Sequence, residues 1–264
     1  ILKEELGKDP LTDLITVSFS ATDYISKAFG PLSVEIEDAY LRLDREIAHF
    51  LEFIDDHLGK ENCLVFLTAD HGSAHIPKYL QDHKIPAGYF NEKKAMFVLD
   101  SYLSAVYGPG EWVSAYYEQQ VYLNHILIED SKLDLEDLQE RCAKFLIQFS
   151  GVANTLTAAT LERSNFTRGI FEKMQNSFNQ RRSGDILINL EPGWMELFGS
   201  GVTSHNSAYC YDTHVPLMWY GWKINRQTVN REIDIIDIAP TIATFLNINH
   251  PNGAIGKVII ELFP

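Results

Sequence analysis

Two hydrophobic periods alternate along the chain. From Ser33 to Leu58 the apolar residues Val34, Tyr40, Leu41, Ile47, Phe50, Leu51, Ile54 and Leu58 fall mostly at three- and four-residue spacing, the repeat of a helix with one apolar stripe. Ser33 suits its N-cap, Glu35 and Glu37 suit its positive end, and Gly59 suits its stop. Leu14 to Phe19 and Cys63 to Thr68 are short apolar or strand-forming runs on either side. Strand, helix, strand with short joins is the pattern of a βαβ unit, so the expected class is α/β, a mostly parallel sheet flanked by helices.

Beyond Pro77 the pattern changes. Ala95 to Leu99, Gln120 to Leu123 and Asp185 to Leu190 read as strands, and Leu135 to Phe149 reads as a helix, which together describe an α+β insertion. After it, Val215 to Gly221 is an expected core strand and Ile236 to Leu246 a short helix that tolerates Pro240 in its first turn. The expected division is therefore a core α/β portion, residues 1–77 and 201–264, interrupted by an inserted cap-like segment, residues 78–200. Neither an internal repeat nor a low-complexity run is evident.

A chain of 264 residues with 45% hydrophobic content can bury a sizeable core. Its net charge of −14 argues against a nucleic-acid duplex or an anionic membrane as partner, and bound divalent metal would neutralise part of the excess carboxylate. Cys63, Cys142 and Cys210 have no metal-binding spacing and cannot all pair with one another. The chain opens at Ile1 with no basic and apolar leader, and contains no run of about 18 apolar residues, so no membrane segment is expected.

The densest chemistry lies in Leu64-Val65-Phe66-Leu67-Thr68-Ala69-Asp70-His71-Gly72. An apolar strand that ends in a carboxylate and an imidazole delivers metal ligands to the edge of a sheet. A plainer alternative is that Asp70 caps a turn and His71 is a hydrogen-bonded loop histidine. Asp23, following the Leu14 run, and His205, in the polar loop Thr203-Ser204-His205-Asn206-Ser207, add an oxygen and a nitrogen donor. Such donors without thiolate suit zinc, with manganese or iron as alternatives, in a catalytic rather than a structural site.

These segments resemble the PafA-type alkaline phosphatases of the alkaline phosphatase superfamily. The resemblance rests on Asp23-xxx-Lys27, Ala69-Asp70-His71-Gly72, Ser204-His205-Asn206 with Tyr211-Asp212-Thr213-His214-Val215-Pro216, and Ile236-Asp237-Ile238-Ala239-Pro240-Thr241, from about Leu14 to Gly256. It implies metal-dependent hydrolysis of phosphate monoesters on a small phosphate-ester substrate, at one or two divalent ions, in a periplasmic or extracellular setting. Asp70 and His71 would then hold the ion on the nucleophile side, and Asp23 and His205 the other. A phosphodiesterase, sulfatase or phosphoethanolamine transferase of the same superfamily, or an inactive metal-binding fragment, are the alternatives.

Two departures qualify what the resemblance implies. Nothing upstream of Asp23 matches the segment that carries the family's hydroxyl nucleophile, so the chain resembles only the C-terminal portion, and its expected partner is the missing N-terminal half of the same protein. Lys27 stands where the pattern has a histidine, and a charged ammonium has no lone pair to give a metal. His214 and His75 are further candidates near the site. Asn206 replaces the glycine that follows the ligand histidine in the resembled pattern.

Overall fold

The structure is a computed structural model that describes residues 1, 3–196 and 201–263. Its helices, in chain order, are α1 (Ala21–Phe29), α2 (Val34–His57), α3 (Pro77–Asp82), α4 (Glu92–Tyr107), α5 (His125–Asp130), α6 (Leu135–Leu146), α7 (Ala158–Arg163), α8 (Gly169–Ser177), α9 (Cys210–Thr213) and α10 (Ile238–Phe245). The strands are β1 (Leu64–Thr68), β2 (Gly88–Tyr89), β3 (Val113–Tyr117), β4 (Gln120–Leu123), β5 (Val152–Thr157), β6 (Ile186–Leu190), β7 (Trp194–Met195) and β8 (Leu217–Gly221). They form two units, residues 1–17, 44–68 and 216–264 in one, and residues 18–43 and 69–215 in the other, the division falling within α2. No helix among the described residues is long and apolar enough to cross a membrane.

In the first unit β1 pairs with β8 antiparallel, Leu64 opposite Gly221 and Thr68 opposite Leu217. Phe245, Ile259 and Leu262 form its buried centre, with Leu64, Leu217 and Trp219 packed on them. α10 follows a 3-10 turn over Ile235–Asp237, capped reciprocally by Asp234 and Asp237. Pro240 is its third residue, where the missing N–H has no intrahelical acceptor to lose. Thr241, fully buried, ties the helix to the following chain by donating to the Asp237 carbonyl at 2.6 Å and accepting from the Ile259 N–H at 2.9 Å.

In the second unit β3, β4, β6 and β5 make an antiparallel sheet, in that order. Leu99 and Leu103 of α4, Leu138 and Leu146 of α6, Trp112, Val121 and Ile186 fill its core, each at most 1% exposed. Asp185, at the start of β6, is buried yet fully engaged. It accepts from the Leu123 N–H at 2.8 Å, from His125 Nε2 at 2.8 Å and from Gln139 Nε2 at 2.9 Å.

Three expectations need correction. Ala95 to Leu99 is not a strand but the first half of α4: Asn91 caps the helix by accepting from the Lys94 N–H, and Ala95, Leu99 and Leu103 bury one face at four-residue spacing. Leu14 to Phe19 makes no ladder among the described residues, and Leu14 and Val17 are 79% and 57% exposed, so a strand-forming run alone did not make it a strand. The βαβ unit expected around α2 is therefore not formed among the described residues. The class is α/β as expected, with mixed pairing among the described residues, β2–β7 being the parallel ladder there. By contrast α2, β4, α6, β6, β8 and α10 fall within two or three residues of where periodicity puts them.

Candidate metal centre

The chemistry collects in the second unit, at the first turn of α1, the segment after β1 and the loop before α9. Among the described residues, Asp23, His71 and His205 form a group in which one ligand atom from each lies within 4.8 Å of the others. The His71 and His205 rings stack at 3.6 Å between centroids with 15° between planes. His71 Nε2 lies 3.8 Å from Asp23 Oδ1. One carboxylate and two imidazoles, all partly buried, are a donor set that zinc accepts.

Each side chain is held by its local fold. Asp23 and Lys27 stand one turn apart on α1, and Lys27 Nζ donates to Asp23 Oδ2 at 2.8 Å, leaving Oδ1 toward His71. The segment following β1 is fixed from two sides. The Gly72 N–H donates to the Asp212 carbonyl at 2.7 Å, and the Ser73 and Ser26 hydroxyls share a hydrogen bond of 2.7 Å that ties the loop to α1. Position 72 admits no side chain, since a Cβ there would lie 2.0 Å from the Tyr211 carbonyl oxygen. On the third side, the Val202 N–H donates to the Lys27 carbonyl at 2.8 Å and Thr203 Oγ1 donates to the Ala74 carbonyl at 2.6 Å, placing His205 beside His71.

Both imidazoles are oriented through Nδ1. His71 Nδ1 lies 2.8 Å from the Gly72 carbonyl oxygen, and His205 Nδ1 lies 2.7 Å from Asn206 Oδ1. Burial, then the neighbouring His71 and Lys27, hold the His205 imidazole below its ordinary value of 6.5, against the opposing pull of Asn206 and Asp23. A neutral ring is the form that binds metal.

The remaining candidates divide. Asp70 is outside the mutual group: its side chain is 90% exposed, with Oδ1 3.9 Å from His71 Nε2 and accepting from the His71 N–H at 3.1 Å. Lys27 meets the group as the cation hydrogen-bonded to Asp23, and its charge also bears on His205. His214 is exposed at the end of α9, its N–H donating to the Cys210 carbonyl, and His75 is exposed with its ring 5.8 Å from that of Tyr79. Sequence reading missed the supporting residues Ser26, Ser73, Thr203 and Asp212, because serines, threonines and loop carboxylates carry no periodic signal. The short-range Asp23-xxx-Lys27 spacing was the visible exception.

A sequence profile described as type I phosphodiesterase / nucleotide pyrophosphatase matches residues 2–214. The chain is 38% identical over 260 residues to "Alkaline phosphatase PafA" of Elizabethkingia meningoseptica, covering 98% of this chain and 47% of that protein. It is 40% identical to a "Calcium-transporting ATPase" of Myroides odoratus, covering 99% and 48%, and 36% identical to "Alkaline phosphatase PhoV" of Synechococcus elongatus, covering 98% and 46%. The crystal structure of wild-type PafA superposes with a TM-score of 0.91 at 37% identity, over 98% of this chain and 49% of that one. The chain thus spans about half the length of these relatives.

Proposed function

We propose that this chain, which belongs to the type I phosphodiesterase / nucleotide pyrophosphatase family, contributes metal ligands to an enzyme that hydrolyses phosphate monoesters. The observation that carries the reading is the convergence of Asp23, His71 and His205 donors within 4.8 Å. Zinc is the favoured ion, because the set is oxygen and imidazole without thiolate. Bound there, such an ion supplies Lewis-acid charge for a phosphoryl oxygen. We assign Asp23, His71 and His205 as ligands, with Asp70 as a further oxygen donor beside His71.

The chain's own residues prepare the site. Asp23 faces His71 with Oδ1 while Oδ2 accepts from Lys27, so that carboxylate already has a cation as its partner. His71 and His205 offer ring nitrogens, and burial holds the His205 imidazole below its ordinary value. None of Ser20, Thr22 and Thr68 lies in a segment matching the resembled nucleophile segment, so the hydroxyl that attacks phosphorus is assigned to the upstream half of a protein about twice this length. Residues 1–77 and 201–264 would then form the metal-site portion and residues 78–200 the insertion, in a periplasmic or extracellular enzyme.

The test has two arms. Zinc binding by the 264-residue chain, measured by titration calorimetry, is expected and should weaken at least 10-fold in His71→Ala and in His205→Ala. With zinc supplied, p-nitrophenyl phosphate should be turned over only when the upstream half is present, because positioning and electrostatic stabilisation supply most of phosphoryl-transfer catalysis. Zinc-dependent release of nitrophenol by the isolated chain would overturn the assignment of the nucleophile. The phosphodiesterase description of the family favours one competing reading, and bis(p-nitrophenyl) phosphate run in parallel decides between them: the better substrate names the class.

A further inference from the structure

We propose that Asn206 is a positioning residue that fixes His205 as a donor through Nε2, by accepting a hydrogen bond from the Nδ1 N–H on its own side-chain oxygen. The proposal rests on the metal reading of the site only for the purpose of that orientation. The orientation itself stands on geometry.

His205 Nδ1 and Asn206 Oδ1 are 2.7 Å apart. With the amide presenting Oδ1, which only accepts, the pairing assigns the proton to Nδ1, and a neutral ring then has its lone pair on Nε2. His71 reaches the same state by a different route, through the backbone carbonyl of Gly72 at 2.8 Å from its Nδ1. The two rings lie nearly parallel at 3.6 Å, and each has an acceptor oxygen at its Nδ1. At position 71 the backbone supplies the acceptor, whereas at position 205 a side chain does.

The backbone of Asn206 makes the assignment specific. Its φ is +89°, a region that side-chain-bearing residues rarely adopt and glycine adopts freely. Glycine would satisfy the turn and leave Nδ1 to water. Asparagine retains the unfavourable backbone and adds the acceptor. Gln119 Nε2 donates to the Asn206 carbonyl at 3.2 Å, tethering the residue from the other side. The amide is exposed, so apolar burial does not account for its presence.

The experiment compares the unmodified chain with Asn206→Gly and Asn206→Asp. Long-range nitrogen–proton spectra of the zinc-free chain at pH 8, with His205→Gln used to assign the signals, report which nitrogen carries the proton. The unmodified chain and Asn206→Asp should show His205 protonated on Nδ1, and Asn206→Gly should move toward Nε2. Zinc affinity should fall about 10- to 100-fold in Asn206→Gly and recover in Asn206→Asp, while the melting temperature of Asn206→Gly stays level or rises. A purely structural role predicts the reverse, a lower melting temperature and an unchanged tautomer. An Nε2 proton in the unmodified chain, or the same tautomer in all three proteins, overturns the proposal and leaves the metal reading standing. The expected tautomer change in a chain that binds no zinc sustains the assignment of Asn206 and overturns the metal reading instead.

Discussion

Glu196 is a buried carboxyl whose ionisation should govern how the second unit responds to pH. It is 3% exposed, accepts a hydrogen bond from the Tyr116 hydroxyl, and has Glu92 and Glu118 as neighbours. Burial, reinforced by those two carboxylates, raises it from 4.5 to about 7 against the opposing hydrogen bond from Tyr116. In the folded unit Glu196 keeps its proton up to about pH 7, whereas in the unfolded chain it loses it near 4.5. Between these values the folded state binds more protons, so stability falls as pH rises through the window. The full interval corresponds to about 3 kcal/mol, a large share of what holds a domain together. Glu196→Gln keeps the side chain's size and the acceptor for Tyr116 but cannot ionise. It adds a buried amide N–H pair, which costs about 1–3 kcal/mol at every pH and so shifts the curve without tilting it. Urea-dependent hydrogen exchange, followed on peptides covering β4 and β6, measures the stability of this unit by itself. The unmodified chain should lose about 3 kcal/mol between pH 4.5 and 7.5 relative to Glu196→Gln. Parallel curves for the two proteins across that range would refute the role given to burial here.

Other consequences follow from the site and its frame. Lys27→His should raise the number or affinity of zinc ions bound, measured by metal analysis after gel filtration, and two equal sites in the unmodified chain would show that Lys27 limits nothing. Gly72→Ala should destabilise the second unit by about 1–3 kcal/mol and weaken zinc binding, because the new methyl meets a carbonyl oxygen rather than a movable side chain, a result checked by the same exchange and titration measurements. Asp185→Ala should cost about 2–4 kcal/mol in the exchange assay, since the Leu123 N–H and the Gln139 amide both lose their acceptor in the interior.

The elements that were legible in the sequence are those whose signals are local. Ser33 does begin α2, with its hydroxyl accepting from the Ile36 N–H, and Gly59, at φ +85°, follows its end. α4 misled because Ala95 to Leu99 is a five-residue apolar run, too short for periodicity to separate helix from strand, although Asn91 as a cap and Leu103 one turn on extend the pattern correctly. Strand pairing was not legible at all: nothing in Leu64 to Thr68 reveals that its ladder partner lies some 150 residues away and runs antiparallel. For the site, donor types at segment ends brought Asp23, His71 and His205 into view. Which of four donors would cluster depended on tertiary bonds such as Val202 to Lys27, and so Asp70 could not be told from the others by its sequence context.

The close approach of Gly72 to Tyr211 bears on how natural variation in this family is to be read. Two backbones meet there, so no rotamer change relieves the crowding, and relief requires one of the two backbone segments to shift. Evolutionary drift at position 72 is thereby closed on steric grounds. An unvarying glycine beside a ligand histidine would register as selection for chemistry while recording only the space between two peptide planes. Position 206 offers the contrast: its backbone would welcome glycine, so an asparagine there carries information that a glycine at 72 does not.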